Sequence, residues 1–305
     1  MLSLDAIDPH RKKMMNPADA FLTFWEKSFH RGIELRMIQP LGGGSINQVY
    51  KADTAEGSFV MKVNSITRFP GMFSAEAKGL ALLSKANGPA VPEVYAETVS
   101  GNAQFLLMEY LEPGKRIKDF FGDFGRRVAE LHRNSSDSFG LDHTNYMGSL
   151  PQYNEQQNNI VDFYIKQRLE PQVKMATDNG NLNNQDVQKF EALYASFSQI
   201  LPQEPPSLIH GDLWNGNYIV GPSGTACIID PAVAYSAREA DLAMTKLFGG
   251  FDEDFYAAYY EEFPLQQGWL ERIDLWNLYP LLVHVNLFGG GYVEEVRRVL
   301  KKYLH

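Results

Sequence analysis

The chain has 305 residues, 44% of them apolar and 21% charged, with a formal net charge of −9 and one cysteine. This length and balance leave room for two modest domains with substantial cores and exclude a disordered, collagen-like or coiled-coil chain. The acidic surplus, with no basic stripe interleaved with aromatics, excludes nucleic acid as a partner and opposes docking on an anionic membrane.

Residues 1–16 read as a loose extension, with mixed charges where a signal peptide needs an apolar core. Phe21 to Phe29 then carries aromatic residues at helical spacing. From Leu35 the texture changes to short apolar runs, and five strands are expected: Leu35 to Leu41, Ile46 to Asp53, Ser58 to Asn64, Glu93 to Thr98 and Gln104 to Leu111. A helix over Ser74 to Lys85 interrupts this antiparallel sheet. Ser74 is its candidate N-cap, Glu76, Leu80 and Leu83 share one face, and Asn87-Gly88-Pro89 breaks it. Glu112-Pro113-Gly114-Lys115 ends the strand texture and puts a lobe boundary at 111, dividing 1–111 from 112–305. Beyond it, Phe120, Phe124, Val128 and Leu131 mark one buried helical stripe and Ile160 to Met175 another, while Gln152 to Asn159 and Asp178 to Asp186 read as loops. Short strands are expected only near 208–230. The most apolar late stretch, Leu278 to Gly291, is broken by Pro280, His284 and Asn286 and is too short to span a membrane. Cys227 alone forms neither an internal disulfide nor a zinc site, which fits a reducing compartment, and a cytoplasmic location is expected.

The chemistry is carried by features in a fixed order: Leu41-Gly42-Gly43-Gly44-Ser45, then Lys62, then Glu76, then His210-Gly211-Asp212-Leu213-Trp214-Asn215-Gly216-Asn217, then Ile229-Asp230-Pro231. Three glycines between two strands let backbone amides approach phosphate oxygens, although such a loop also serves as a plain hairpin turn. Lys62 sits mid-strand, where an ammonium needs a partner or a cleft unless the strand face is solvated. Glu76 on the next helix either supplies a carboxylate to that ammonium or is a first-turn glutamate favoured by the helix dipole. Asp212 and Asn217 have the Asp-x-x-x-x-Asn spacing of a kinase catalytic loop, and Asp230 ends the expected strand Ala226 to Ile229. In that arrangement Asn217 and Asp230 converge on Mg²⁺ while Asp212 takes a proton from a hydroxyl. His210 reads as readily as a brace of the turn as a group in the chemistry. Met108-Glu109-Tyr110-Leu111, closing the fifth strand, offers backbone groups to an adenine or is simply a strand end. The whole order matches what is needed to transfer a phosphoryl group from ATP to a hydroxyl.

On these residues the chain resembles the fructosamine kinases, or ketosamine 3-kinases, within the aminoglycoside and choline phosphotransferase-like kinases. The resemblance rests on His210 to Asn217, on Ile229-Asp230-Pro231-Ala232, and on Arg238-Glu239-Ala240-Asp241-Leu242-Ala243-Met244 followed by Leu247-Phe248-Gly249-Gly250-Phe251. Further matches are Phe139-Gly140 through Gly148-Ser149-Leu150-Pro151-Gln152, Gln167-Arg168-Leu169 and Asn286-Leu287-Phe288-Gly289-Gly290. It implies an α+β, protein-kinase-like two-lobe fold, with a five-stranded antiparallel sheet plus helix in a small N-terminal lobe and a larger, mainly helical C-terminal lobe. It also implies ATP-dependent phosphorylation of the sugar 3-hydroxyl of ketosamines, on small amines or glycated proteins, after which the adduct falls apart, a deglycation repair step.

By the same resemblance Asp212 is the base, Asn217 and Asp230 hold Mg²⁺, Lys62 is the phosphate lysine and Glu76 its ion-pair partner. Gly42, Gly43, Gly44 and Ser45, with Met108, Glu109, Tyr110 and Leu111, surround the nucleotide. His210 and Asp241 are structural, Asp241 as the helix aspartate that braces the catalytic loop. Trp214, Arg238 and Glu239 are candidates for the substrate side, with packing for Trp214 and local pairing for the other two as alternatives. Some members of the family are linked through a cysteine in the glycine loop. Here Gly42 to Asn47 holds none, so no disulfide-linked dimer is expected. Two alternatives to ketosamine phosphorylation stand: a kinase of another small hydroxyl compound, such as an aminoglycoside or choline-like amine, and a catalytically silent nucleotide-binding module.

Overall fold

The structure, a computed structural model, describes residues 16–42 and 46–304. Contacts divide the chain into two units: the described residues up to Pro70 together with Val94–Tyr110, and Gly71–Glu93 together with Leu111 onward.

The first unit opens with helix α1 (Pro17–Phe29), where Pro17 takes the first helical position and Asn16 accepts the Ala18 N–H at 3.1 Å. Asn16 therefore belongs to the helix as its cap and not to a loose extension; residues 1–15 lie outside the described residues. The five expected strands form within two residues of their expected ends: β1 (Leu35–Pro40), β2 (Gln48–Thr54), β3 (Gly57–Ser65), β4 (Val94–Ser100) and β5 (Ala103–Glu109). They pair antiparallel in the order β1-β2-β3-β5-β4. The order explains the sequence texture. β5 is interior and reads Phe105-Leu106-Leu107-Met108 without alternation, whereas β4 lies at an edge and alternates half-buried with exposed positions. Phe21, Phe24 and Trp25 of α1 close the core over Met61, Phe105 and Leu107.

In the second unit, helix α2 (Met72–Lys85) starts two residues ahead of the expected Ser74 cap. Gly71, in a left-handed conformation at φ 70°, precedes it without a side-chain cap, and Met72 and Phe73 are drawn into the first turn by burial. Helix α3 (Phe120–His132) buries the expected stripe and crosses α9 (Glu253–Glu262) at Gly125, where a Cβ would stand 2.1 Å from the Phe255 carbonyl oxygen. Only glycine permits that approach. A short hairpin of β6 (Asn145–Met147) and β7 (Leu150–Gln152) forms where no strand was expected. The expected amphipathic run becomes α4 (Ile160–Phe163), a π-helical turn (Tyr164–Leu169) and α5 (Glu170–Asp178), and the wider turn sets Gln167 and Arg168 both inside. Helix α6 (Asn184–Tyr194) begins inside the stretch read as a loop, fixed by a capping box between Asn183 and Asp186, and α7 (Phe197–Ile200) follows.

Two small ribbons come next, β8 (Ser207–Ile209) with β11 (Ala234–Ser236) and β9 (Tyr218–Val220) with β10 (Ala226–Ile228). The chain closes with α8 (Arg238–Leu247), α9, α10 (Trp269–Trp276), α11 (Leu278–Phe288) and α12 (Gly291–Tyr303). Helix α11 is apolar on nearly all sides because it is packed in the core. No helix among the described residues is long and apolar enough to cross a membrane. Cys227, in β10, is buried and in no disulfide among the described residues.

Candidate active site

The two ribbons deliver two loops of the second unit to one place. The loop His210 to Asn217 runs from β8 to β9, and the segment Ile229 to Val233 runs from β10 to β11. Backbone bonds join them: Ala232 N donates to His210 O at 2.9 Å and Ile229 N to Asn217 O at 3.0 Å. The buried His210 ring completes the seam. Its Nδ1 accepts the Asp212 N–H at 3.2 Å, so Nε2 carries the proton and donates to Ile229 O at 3.0 Å. Burial holds this imidazole below the usual histidine range, and it braces the turn as a neutral group.

Asp241, in the first turn of α8, grips the same loop from below, accepting His210 N–H at 2.7 Å on one carboxylate oxygen and Gly211 N–H at 2.8 Å on the other. His132, at the end of α3, donates Nε2–H to Asp241 at 3.2 Å and bonds the Tyr259 hydroxyl at 2.9 Å through Nδ1. Burial alone would raise the Asp241 carboxyl, but the hydrogen bond and charge from His132, the His210 ring and the Gly211 amide together hold it below the usual carboxylate range.

Asp212 and Asn217 are locked to one another: Asn217 Nδ2 donates to both the backbone oxygen and Oδ2 of Asp212 at 2.8 Å. Both amide hydrogens are thereby committed, which leaves Asn217 Oδ1 as an acceptor beside the carboxylate. Burial pushes the Asp212 carboxyl up to about 7, bonds from Asn217 and Trp214 oppose the rise, and the charges of Asp230 and Asp241 add to it. Asp230 is a non-glycine residue at φ 56°, a conformation held only where surroundings over-determine it. The cluster thus offers a carboxylate able to accept a proton, an amide oxygen and a second carboxylate, an oxygen-only donor set suited to a hard divalent cation.

Gly211 is required by this packing. Its φ is 83°, and a Cβ would fall 2.0 Å from Ala232 O. Gly211→Ala is expected to displace the loop and destabilise the protein by about 2 kcal/mol or more; a thermal melt checks this, and a variant of normal stability would refute the packing argument.

The other sequence-designated residues have the following surroundings. Trp214 is half-buried and meets Phe248 edge-on at 5.8 Å. Arg238 and Glu239, candidates for the substrate side, are consumed in local pairs. Arg238 is bidentate to Glu204 at 2.7 and 2.8 Å and bonds the Phe263 and Pro264 carbonyls. Glu239 is bidentate to Arg272 at 2.6 and 2.8 Å and accepts the Trp276 indole N–H. Both lie on a helix buried on almost every face, so the local-pairing alternative is the one realised. Lys62 is buried in β3, its backbone opposite Val49 and Leu106. Met108 and Glu109 end β5, and Lys51 Nζ stands 4.2 Å over the Tyr110 ring. Glu76 lies half-buried on α2 and Leu111 opens the second stretch of the second unit. Gly42 is exposed; Gly43, Gly44 and Ser45 lie outside the described residues.

His132 was not singled out from the sequence. Its position one turn after Val128, on the buried stripe of α3, was the available signal, since a histidine on an apolar face needs a buried partner.

The chain is similar to known proteins over most of its length. The family model described as fructosamine kinase matches residues 17–305. A probable ketoamine kinase of Enterococcus faecium is 36% identical over 270 residues, covering 87% of this chain and 94% of its own. The chloroplastic protein-ribulosamine 3-kinase of Arabidopsis thaliana is 33% identical over 285 residues, covering 92% and 86%. A crystal structure from Thermobifida fusca, described as a fructosamine-3-kinase, superposes with a TM-score of 0.82 at 33% identity, covering 93% of this chain and 99% of the other. An aminoglycoside phosphotransferase solved with AMP-PNP and hygromycin B gives a TM-score of 0.60 at 14% identity, covering 92% and 98%, and so shows a shared protein-kinase-like fold.

Proposed function

The chain belongs to the fructosamine kinase family, and from that premise we propose that it transfers the γ-phosphoryl group of ATP to the sugar 3-hydroxyl of a ketosamine, with Asp212 as the base. The acceptor is a fructosamine or ribulosamine on a small amine or a glycated protein. The observation that carries this reading is the bonded Asp212–Asn217 pair beside Asp230, on a loop held from below by Asp241.

Asp212 Oδ2 is oriented by Asn217, and its carboxylate is the group that takes the hydroxyl proton as the oxygen attacks phosphorus. Asn217 Oδ1 and the Asp230 carboxylate fit Mg²⁺, which takes oxygen ligands and keeps positions for water and phosphate. Bound there, the ion neutralises charge on the phosphate oxygens. For the glycine loop, Lys62, Glu76 and Met108 to Leu111 the proposed role is nucleotide binding. A single, buried cysteine suits a reducing compartment such as cytoplasm and no disulfide-linked dimer.

The test is a coupled ADP-release assay with Mg²⁺-ATP and synthetic fructosyl- and ribulosyl-amines. Release that depends on the ketosamine supports the reading and ranks the sugars. No release with either, in protein that binds ATP, overturns it in favour of another acceptor or a silent module.

A further inference from the structure

Resting on the assignment of Asp230 to the metal, we infer that Gln152 is a positioning residue: its buried amide fixes the Ala232 carbonyl, and with it both the turn that carries Asp230 and the glycine that precedes Asp212. The block ending in Gln152 and the Gln167-Arg168-Leu169 block have no part in the chemistry described above. The structure gives them a common target.

The β6–β7 hairpin and the residues after it send three amides inward, Asn145, Gln152 and Asn154, each more than nine-tenths buried. Gln152 Nε2 donates to Ala232 O at 2.9 Å and to Asn145 Oδ1 at 2.9 Å, and its Oε1 accepts the Tyr279 hydroxyl at 2.8 Å. Asn145 Nδ2 donates to the next carbonyl, Val233 O, at 2.8 Å. Asn154 Nδ2 donates to Asn145 Oδ1 at 2.9 Å, and Asn154 Oδ1 accepts from Arg168 at 2.8 Å. Arg168 also donates to the Tyr153 carbonyl, and its guanidinium stacks between the rings of Phe163 and Tyr279 at 4.6 and 5.3 Å. Arg168 can only donate and the Ala232 and Val233 carbonyls can only accept, so they fix which way the Asn154, Gln152 and Asn145 amides face. The network has one arrangement, and in it Gln152 uses both amide hydrogens and its carbonyl oxygen.

Its output is mechanical. Ala232 O, held by Gln152, is the atom that would lie 2.0 Å from a Cβ on Gly211, so any shift of this carbonyl is felt directly at the residue before Asp212. On the other side only Pro231 separates it from Asp230. Proline has no freedom in φ, so a displacement at Ala232 passes to Asp230 with little slack. Asp230 needs that support, because a non-glycine residue at φ 56° immediately before a proline is in a sparsely populated conformation. The clamp on the Ala232 and Val233 carbonyls supplies it.

The experiment uses the full chain with ADP and reads Mn²⁺ binding by electron paramagnetic resonance, beside a thermal melt. Gln152→Met keeps the volume and removes both donations. Mn²⁺ binding weaker by about 10-fold is expected for it, the size typical of losing a group that orients a metal ligand. Asp230→Asn should weaken binding at least as much. Tyr279→Phe, which leaves the Gln152 donors in place and frees only its oxygen, should weaken it less and in the same direction. If Gln152→Met binds Mn²⁺ as tightly as the wild type while Asp230→Asn does not, the positioning role is wrong and the metal assignment stands. If Asp230→Asn binds normally, the metal assignment fails and this inference with it. Should Gln152→Met not fold, a folded Tyr279→Phe with wild-type Mn²⁺ affinity overturns the inference.

Discussion

Asp212→Asn is expected to lower turnover by roughly 10²- to 10⁴-fold while ATP binding persists, because the role proposed for Asp212 is that of general base, whose removal raises the barrier to proton transfer without touching the nucleotide. The substitution is a clean one here. Asparagine can keep its amide oxygen toward Asn217 Nδ2, preserving the bond now 2.8 Å long, and place its NH₂ where the second carboxylate oxygen was. Shape and the Asn217 bond remain, and the basic carboxylate, to which Trp214 also bonds, is lost. Turnover measured with saturating Mg²⁺-ATP and ketosamine, together with equilibrium binding of ATP, separates the two effects. A variant with unchanged turnover removes Asp212 from the mechanism, while one that loses ATP binding as well points to a disrupted loop.

The parts of this site that are legible in the sequence are those whose partners are near in the chain. Asp212 and Asn217 are five residues apart and bond to each other, so their spacing is the geometry. The strand textures of the first unit are legible for the same reason: an interior β5 has no alternation and an edge β4 alternates, and both patterns are written residue by residue. What stays hidden is the buried polar scaffold. His132 meets Asp241 across 109 residues, Gln152 meets Ala232 across 80 and Tyr279 meets Gln152 across 127. A buried amide or imidazole announces only that it needs a partner, and nothing local says which one.

Arg238 and Glu239 show the same limit in reverse. Two opposite charges at the start of a helix look solvent-facing or site-facing by type, because charged residues are seldom fully buried unless paired. Their partners, Glu204 and Arg272, lie 34 and 33 residues away on either side, and only the assembled unit brings them in. The π-helical turn is similar. It carries no spacing signature, and its purpose, bringing Gln167 and Arg168 inside together, is visible only once Asn154 and Tyr153 are seen waiting for the guanidinium.

Asp241→Ala carries the largest expected effect on stability. The carboxylate satisfies two backbone amides and one imidazole N–H in a fully enclosed place, so its removal leaves three donors without an acceptor. Breaking such a buried charged cluster from one side typically destabilises by about 3–5 kcal/mol, which for a chain of this size lowers Tm by roughly 6–15 °C. The sign with pH is fixed by the direction of the shift. The folded-state carboxyl sits below its unfolded value of about 4, so its contribution is fully present above that pH and is lost as pH falls through the lower folded value. Urea unfolding of wild type and variant should therefore show a gap that narrows as pH falls below about 4. A gap independent of pH to the acid limit would mean that Asp241 acts by shape and not by charge. Since His210 and Gly211 lead directly into Asp212, loss of their acceptor also frees this proposed base from its fixed position, and turnover should fall even at temperatures where the variant remains folded.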